Sequence, residues 1–318
     1  MDRTSCGRPA WHQRAARATL RCLIPSRQNT SPPSTGAAMI RIVTDTLTGF
    51  PLEIMRARGI PVIPQIVIFG ETAYRDDTEI DTATFLQKLR TGRETPKTAA
   101  PPPHLYTPIF QEAAQNGDTV LVIAPSARVS GTVRSAETAK ADFPSADIRI
   151  LDTQTLACNQ GTLTLLADDL AKQGKSADEI ETRLRAMIPR GRTYFVLDTL
   201  EYLKRGGRIG AAKALLGELL QVKPILQIKE GQVAPYDQER TKKRAVGRLI
   251  EIAAEQARSA DAHLCILHID AQDEAQALQS ELSARTGLQD IPIYLLPPAI
   301  VVHAGPKALG IGFFAQAM

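Results

Sequence analysis

Three short apolar runs, IRIVT at 40–44, TVLVIAP at 119–125 and ADIRILD at 146–152, are each followed by a stretch whose apolar residues recur at helical spacing. Runs this short and this continuous suit strands buried on both faces, and the intervening helical patterns supply the crossovers that parallel strands require. The alternation therefore predicts an α/β fold. FPLEIMRARG reads as a helix closed by Gly59, and DTATFLQKLRTG as one capped by Asp81 or Thr82. IPVIPQIVIFG is extended but interrupted by Pro64, so an edge or a bend is expected there. ETPKTAAPPP reads as a loop, because three consecutive prolines exclude helix and central strand.

Past IPRGRT the pattern changes. YFVLD predicts a strand, TLEYLKRGG a short helix, AKALLGELLQ another, KPILQIKEGQVAPYD a hairpin turned at Glu230 and Gly231, and RTKKRAVGRLIEIAAEQARS a long amphipathic helix. Strand, helix and strand follow to the C-terminus. The expected architecture is a doubly wound, mainly parallel sheet domain over 39–190 and a second α/β domain with a mixed sheet over 191–318.

A chain of 318 residues that is 43% hydrophobic has enough apolar material for two such cores. No run approaches the roughly 18 to 20 apolar residues of a spanning helix, so any membrane contact would be a transient surface one. The formal charge of +4 is unevenly placed: Arg3, Arg8, Arg14, Arg17, Arg21 and Arg27 face only Asp2 in residues 1–38, leaving the remainder close to neutral. That argues against nucleic-acid binding. The same segment, Ser-rich and ending just before Met39, reads as a disordered extension or a misassigned start. Cys6, Cys22, Cys158 and Cys265 form no CxxC pair, which suits incidental thiols in a reduced cytoplasmic protein.

The turn SARVSGTVRSA, between a strand and a helix start, holds Ser126, Ser130 and Thr132. Such a turn leaves backbone N–H groups unpaired and accepts anions, though a serine there also serves simply as a helix cap. Neither GxxxxGK[ST] nor a GxGxxG after a strand is present, so a nucleotide cradle lacks its signal. A serine nucleophile would need one of five histidines brought close by folding, and there is no GxSxG elbow. In AHLCILHID, strand alternation puts His263 and Cys265 on one face and His268 on the other, which breaks up an apparent metal cluster. LEYLKRGGRIG ends a helix with Lys204, Arg205 and Gly206, then adds a second glycine and Arg208, more than a cap requires. His303 ends an apolar run before a Gly305–Pro306 turn.

Taken together, VTDTLTGFP, KTAAPPP, SARVSGTVRSA, FVLDTLEYLKRGGRIG, LLQVKPILQIKEGQV and HAGPKALGIGF resemble the DegV family of bacterial fatty-acid-binding proteins, over nearly all of 40–318. The resemblance implies a long-chain fatty acid in a deep apolar pocket, no cofactor, and a carboxylate held by hydroxyls. Matched position by position, the implied contacts are Thr98, Ser126 and Ser130, with His303 close by. The chain departs from the family pattern at Ala99, Ala100 and Ala127, which remove neutral donors, and at Lys307, which stands where glycine is common.

The resemblance also implies a role in phospholipid metabolism, with the bound acid presented to a separate fatty acid kinase. Arg205 and Arg208 would face that partner or the transferred phosphate. Two other readings remain: an esterase or thioesterase using Ser126 or Ser130 with His303, and a lipid sensor without a kinase.

Overall fold

The computed structural model describes residues 38–92, 94–217 and 222–316. The arginine-rich segment expected to be an extension lies outside them, apart from its last residue. Strand β1 (Ile40–Asp45) leads through a short turn to α1 (Leu52–Arg58), which Gly59 closes in the left-handed conformation. Pro64 then divides the next apolar run into β2 (Val62–Ile63) and β3 (Ile66–Phe69). After β4 (Thr72–Arg75) comes α2 (Thr82–Thr91), where the Asp81 carboxylate accepts from the Thr84 N–H. Then follow β5 (Lys97–Ala99), α3 (Thr107–Asn116), β6 (Thr119–Ala124), α4 (Thr132–Lys140), β7 (Ile148–Asp152), α5 (Cys158–Lys172) and α6 (Ala177–Met187).

The strands β2-β1-β6-β7 form a wholly parallel sheet in that order. Its two faces are both covered, as continuous apolar strands demand. Val43, Val120 and Val122 pack with Phe110 of α3 and Ala136 of α4, while Leu121, Ile123 and Leu151 pack with Met55, Leu163 and Ile180 of α1, α5 and α6.

The remaining elements are β8 (Gly191–Val196), α7 (Glu201–Arg205), β9 (Lys223–Lys229), β10 (Gln232–Glu239), α8 (Lys242–Gln256), β11 (Cys265–His268), α9 (Gln272–Thr286), β12 (Ile293–Leu295), α10 (Pro298–Ala304) and β13 (Leu309–Phe314). They build a mixed sheet in the order β10-β9-β8-β13-β11-β12, in which only β11 and β12 run parallel. One face buries Val196, Ile266, Ile311 and Phe313 against Leu249 and Ile252 of α8 and Leu278 of α9. The opposite face turns inward: Leu226, Leu267 and Phe314 share one apolar cluster with Leu47, Phe50 and Leu163. The α/β class with one parallel and one mixed sheet is therefore present as expected.

Several local expectations need correction. Lys97–Ala99 of KTAAPPP is not loop but an edge strand of a separate antiparallel sheet, β4-β3-β5, flanked by Pro96 and by the prolines from Pro101 onward. An edge is where a segment this close to prolines can still pair. Residues 210–217 form a 3₁₀ rather than an α-helix, and 218–221 of that predicted helix lie outside the described residues. The C-terminal sequence holds two more elements than the expected strand, helix and strand: the short helix α10, which carries His303, and one further strand. His263 adopts a left-handed φ of 49° ahead of β11, so it does not share a strand face with Cys265. Nor are all the thiols incidental: Cys158 and Cys265, 107 positions apart, are joined in a disulfide between α5 and β11. Among the described residues no helix is long and apolar enough to cross a membrane.

Two helix glycines differ in what surrounds them. A Cβ on Gly161 of α5 would lie 2.9 Å from the Phe50 ring, whereas one on Gly247 of α8 would meet nothing within 4 Å. Gly247→Ala is expected to stabilise the fold by about 0.5–1 kcal/mol through helix propensity. Gly161→Ala is expected to destabilise it by about 1–3 kcal/mol through overpacking. Urea-unfolding midpoints of the two variants check both signs.

Candidate functional site

In the parallel sheet β1 and β6 are neighbours, yet the chain leaves β1 toward β2 on one side and β6 toward β7 on the other. Segments leaving the carboxyl ends of such a pair diverge and open a crevice, where ligands of open α/β sheets bind. The turn after β1 begins at Asp45 and the hydroxyl turn after β6 runs from Ser126 to Thr132. From this crevice a partly open cleft extends beneath the inner face of the mixed sheet. Its walls are mainly apolar, with Leu47, Leu156, Phe195, Ile228, Val233, Leu267 and Ile300 among them. Thr98, Ser130, Arg208, His303 and Gln65 are the main polar exceptions, with Thr193 apart on β8.

These polar groups arrive from distant elements. Thr98, on β5, is 2.9 Å from His303 Nε2, a pair 205 residues apart in sequence. Ser130 lies 2.9 Å from Thr132 Oγ1. Arg208 donates from Nε to the Val129 carbonyl at 3.0 Å and from Nη1 to the Gly206 carbonyl at 2.8 Å, which fixes its guanidinium at the rim. The two glycines of KRGG have separate duties. Gly207, at φ 67°, turns the chain, whereas a Cβ on Gly206 would run into the His303 ring. A sequence pattern that exceeded ordinary capping is thus explained by a close approach between α7 and α10.

Other expected site residues sit elsewhere. Ser126 is fully buried and does not line the cleft; its hydroxyl donates to the Gly231 carbonyl at 2.6 Å and accepts from the Arg128 N–H. It braces the hydroxyl turn against the β9–β10 hairpin. Arg205 is exposed and pairs with Glu201 one turn away, at 3.0 Å. Of the departures from the family pattern, Ala100 lines the cleft and Lys307 holds a left-handed φ of 57°, the conformation for which glycine is the usual choice.

Behind Ser130 lies a buried polar network that the sequence did not reveal. Asp45 accepts four hydrogen bonds, from Leu47 N and Gln160 Nε2 on Oδ1 and from Gln65 Nε2 and Thr132 Oγ1 on Oδ2. Asp76 accepts from Thr46 Oγ1 and Gln65 N on one oxygen, while its other oxygen has no hydrogen-bond partner among the described residues. Burial raises Asp45 to about 6 despite its donors, and burial together with the nearby Asp45 charge raises Asp76 to about 7. His303 moves the opposite way, to about 4, through burial and then the Arg208 charge, so its imidazole is neutral at physiological pH. The one available clue was an aspartate ending a buried strand in IVTDT. Nothing local marked Gln65, Asp76 or Gln160. Among the described residues no group of three or more His, Cys, Asp and Glu side chains could hold a metal ion.

A family model described as DegV, uncharacterised protein, matches residues 39–316. The chain belongs to the DegV family. It is 36% identical to a DegV domain-containing protein of Streptomyces coelicolor over 274 residues, covering 86% of this chain and 97% of the relative. Protein DegV of Bacillus subtilis is 33% identical over 274 residues, with 86% and 98% covered. Among solved DegV structures, a fatty-acid-binding member from Thermus thermophilus superposes with a TM-score of 0.79 at 32% identity, covering 87% of this chain and all of that one. The Bacillus subtilis DegV structure, described as a fatty acid binding protein, gives 0.78 at 31% identity, covering 88% and 100%. A further fatty acid binding DegV protein, from Streptococcus agalactiae, gives 0.81 at 28%, again covering 88% and 100%.

The acid pair makes a pH prediction for this DegV protein. A carboxyl raised on folding keeps its proton in the native state over a range where the unfolded chain has released it, so stability falls as pH rises through that range. For Asp76 the range runs from the ordinary value near 3.8 to about 7. Asp76→Asn retains the oxygen that Thr46 and Gln65 use and removes the charge. The variant is expected to lose less stability than the wild type between pH 5 and 8, by on the order of 2 kcal/mol, in urea titrations across that range.

Proposed function

We propose that the protein binds a long-chain fatty acid in this cleft and presents it to a separate fatty acid kinase. The observation that carries the proposal is an apolar cleft ending at Thr98, Ser130, His303 and the rim guanidinium of Arg208. The description of the Thermus thermophilus and Bacillus subtilis proteins as fatty acid binding supports it. Burying a tail of about 14 methylenes at about 0.8 kcal/mol each gives a gross gain on the order of 11 kcal/mol before the costs of association. Each hydrogen bond to the charged head adds only about 1.5–3 kcal/mol. The tail thus supplies affinity, and the polar end fixes which way the ligand lies.

In this proposal Thr98 and Ser130 meet the carboxylate, neutral His303 orients Thr98, and Arg208 contributes charge from the rim. Ser126 acts one step back, by holding the turn that carries Ser130 on the Gly231 carbonyl. The chemistry belongs to the partner. His303 Nε2 is engaged with Thr98, and among the described residues neither Ser126 nor Ser130 is hydrogen-bonded to a histidine, so the arrangement favours binding over a serine hydrolase. Arg205, beside the same end of the cleft and facing solvent, is the residue best placed to meet a kinase.

Denaturing the purified protein and extracting it for mass spectrometry is expected to release fatty acid in near-stoichiometric amount. Thr98→Val and Ser130→Ala should each weaken binding of added fatty acid by about tenfold or more. An empty protein that also takes up no added fatty acid would refute the proposal. Arg205→Glu should leave fatty acid affinity unchanged and lower turnover by a fatty acid kinase; unchanged turnover would remove Arg205 from the partner's interface.

A further inference from the structure

A carboxylate can only accept hydrogen bonds, so a hydroxyl that holds one must have its hydrogen free to donate. Whether Ser130 has a free hydrogen depends on what stands behind it. Ser130 Oγ is 2.9 Å from Thr132 Oγ1, which is 3.0 Å from Asp45 Oδ2; Thr132 and Asp45 are buried, and half-buried Ser130 lines the cleft. Thr132 Oγ1 also accepts from Gln65 Nε2 at 2.9 Å, which leaves it one lone pair and one hydrogen to share between Asp45 and Ser130.

The two states of Asp45 divide them differently. When Asp45 is ionised, Thr132 must donate to it, and the remaining lone pair of Thr132 takes the Ser130 hydrogen. Ser130 then offers the cleft only a lone pair, which repels a carboxylate. When Asp45 carries a proton it donates to Thr132, Thr132 donates to Ser130, and the Ser130 hydrogen is released toward the cleft. One proton on Asp45 therefore reverses the direction of every hydrogen bond in the chain.

We propose that Asp45, acting through Thr132, is the positioning residue that sets whether Ser130 donates, so that a carboxylate ligand enters the cleft together with one proton. The inference rests on the proposed fatty acid site. Arriving ligand and protein together carry two carboxyl groups joined by two hydroxyls, and the set is stable with one proton among them. The raised affinity of Asp45 for a proton places this exchange close to neutral pH. The other titratable groups facing Asp45 are Asp76, behind Gln65 and Thr46, and the Tyr106 hydroxyl; His303 and Arg208 line the cleft with Ser130. His303 is the rival proton acceptor, since its Nδ1 has no partner among the described residues.

The test uses delipidated full-length protein and dodecanoate, titrated calorimetrically at pH 7.5 in phosphate and in Tris, whose different ionisation heats reveal protons taken up. The wild type is expected to take up about one proton per dodecanoate, with affinity falling about tenfold per pH unit from 7 to 8.5. Thr132→Val cuts the chain and should abolish both uptake and pH dependence. Thr132→Ser should restore them, and His303→Asn, which weakens binding through Thr98, should still take up about one proton per dodecanoate bound.

Dodecan-1-ol, which has no carboxyl, checks that Thr132→Val still forms the cleft. If that variant fails to bind the alcohol, Asp45→Asn takes its place with the same expected loss of uptake. Uptake that survives both variants, or that disappears in His303→Asn, overturns the inference. Dodecanoate binding to the wild type without proton uptake overturns it alone, while no binding of dodecanoate or of longer acids overturns the fatty acid site as well.

Discussion

A carboxylate removed from water at the end of a buried strand must receive its hydrogen bonds from the protein, and Asp45 draws them from four separate segments. The 3₁₀ turn after β1, the linker between β2 and β3, and the first turns of α4 and α5 all converge on one side chain. A buried charge that loses such donors costs several kcal/mol, so the four segments are constrained to meet. Much of what surrounds the crevice follows from that requirement: the hydroxyl turn is held by Thr132, and Gln65 is held where it reaches the cleft.

The mixed sheet completes the cleft by a different principle. Its outer face is satisfied by α8 and α9, which leaves the inner apolar face to be covered by the rest of the chain. Leu226 and Phe314 pack into the cluster shared with the parallel-sheet region, whereas Phe195, Ile228, Val233 and Leu267 also line the cleft. Short elements close the polar end: the edge strand with Thr98 and the helix α10 with His303 pack together, and Gly206 permits the close contact of His303 with the end of α7. An apolar cavity with its few polar groups gathered at one end suits an amphipathic ligand with one charged terminus.

Some of this was legible in the sequence because it depends on local pattern. Continuous apolar runs such as TVLVIAP indicated strands covered on both faces, and Glu230–Gly231 indicated a hairpin turn, which forms with both residues at positive φ. Thr98, Ser130 and His303 were named from motifs and all three line the cleft. Ser126 belonged to the same motif, yet its hydroxyl points to a hairpin more than a hundred residues away, a partner that no local spacing could identify. The strand at Lys97–Ala99 was hidden by neighbouring prolines, and α10 was hidden in an apolar run too short to separate helix from strand.

The sequence by itself determined the α/β class, the order of most elements and the chemistry available at the hydroxyl turn, because apolar periodicity, turn residues and side-chain type act over a few positions. Only the tertiary structure decided which hydroxyls face the ligand, which glycine serves a turn and which a contact, and that Cys158 meets Cys265. It also decided that Asp45 stands behind Ser130 by way of Thr132. Those outcomes depend on burial and on partners up to 205 residues apart, and neither is set until the two sheets have packed against each other.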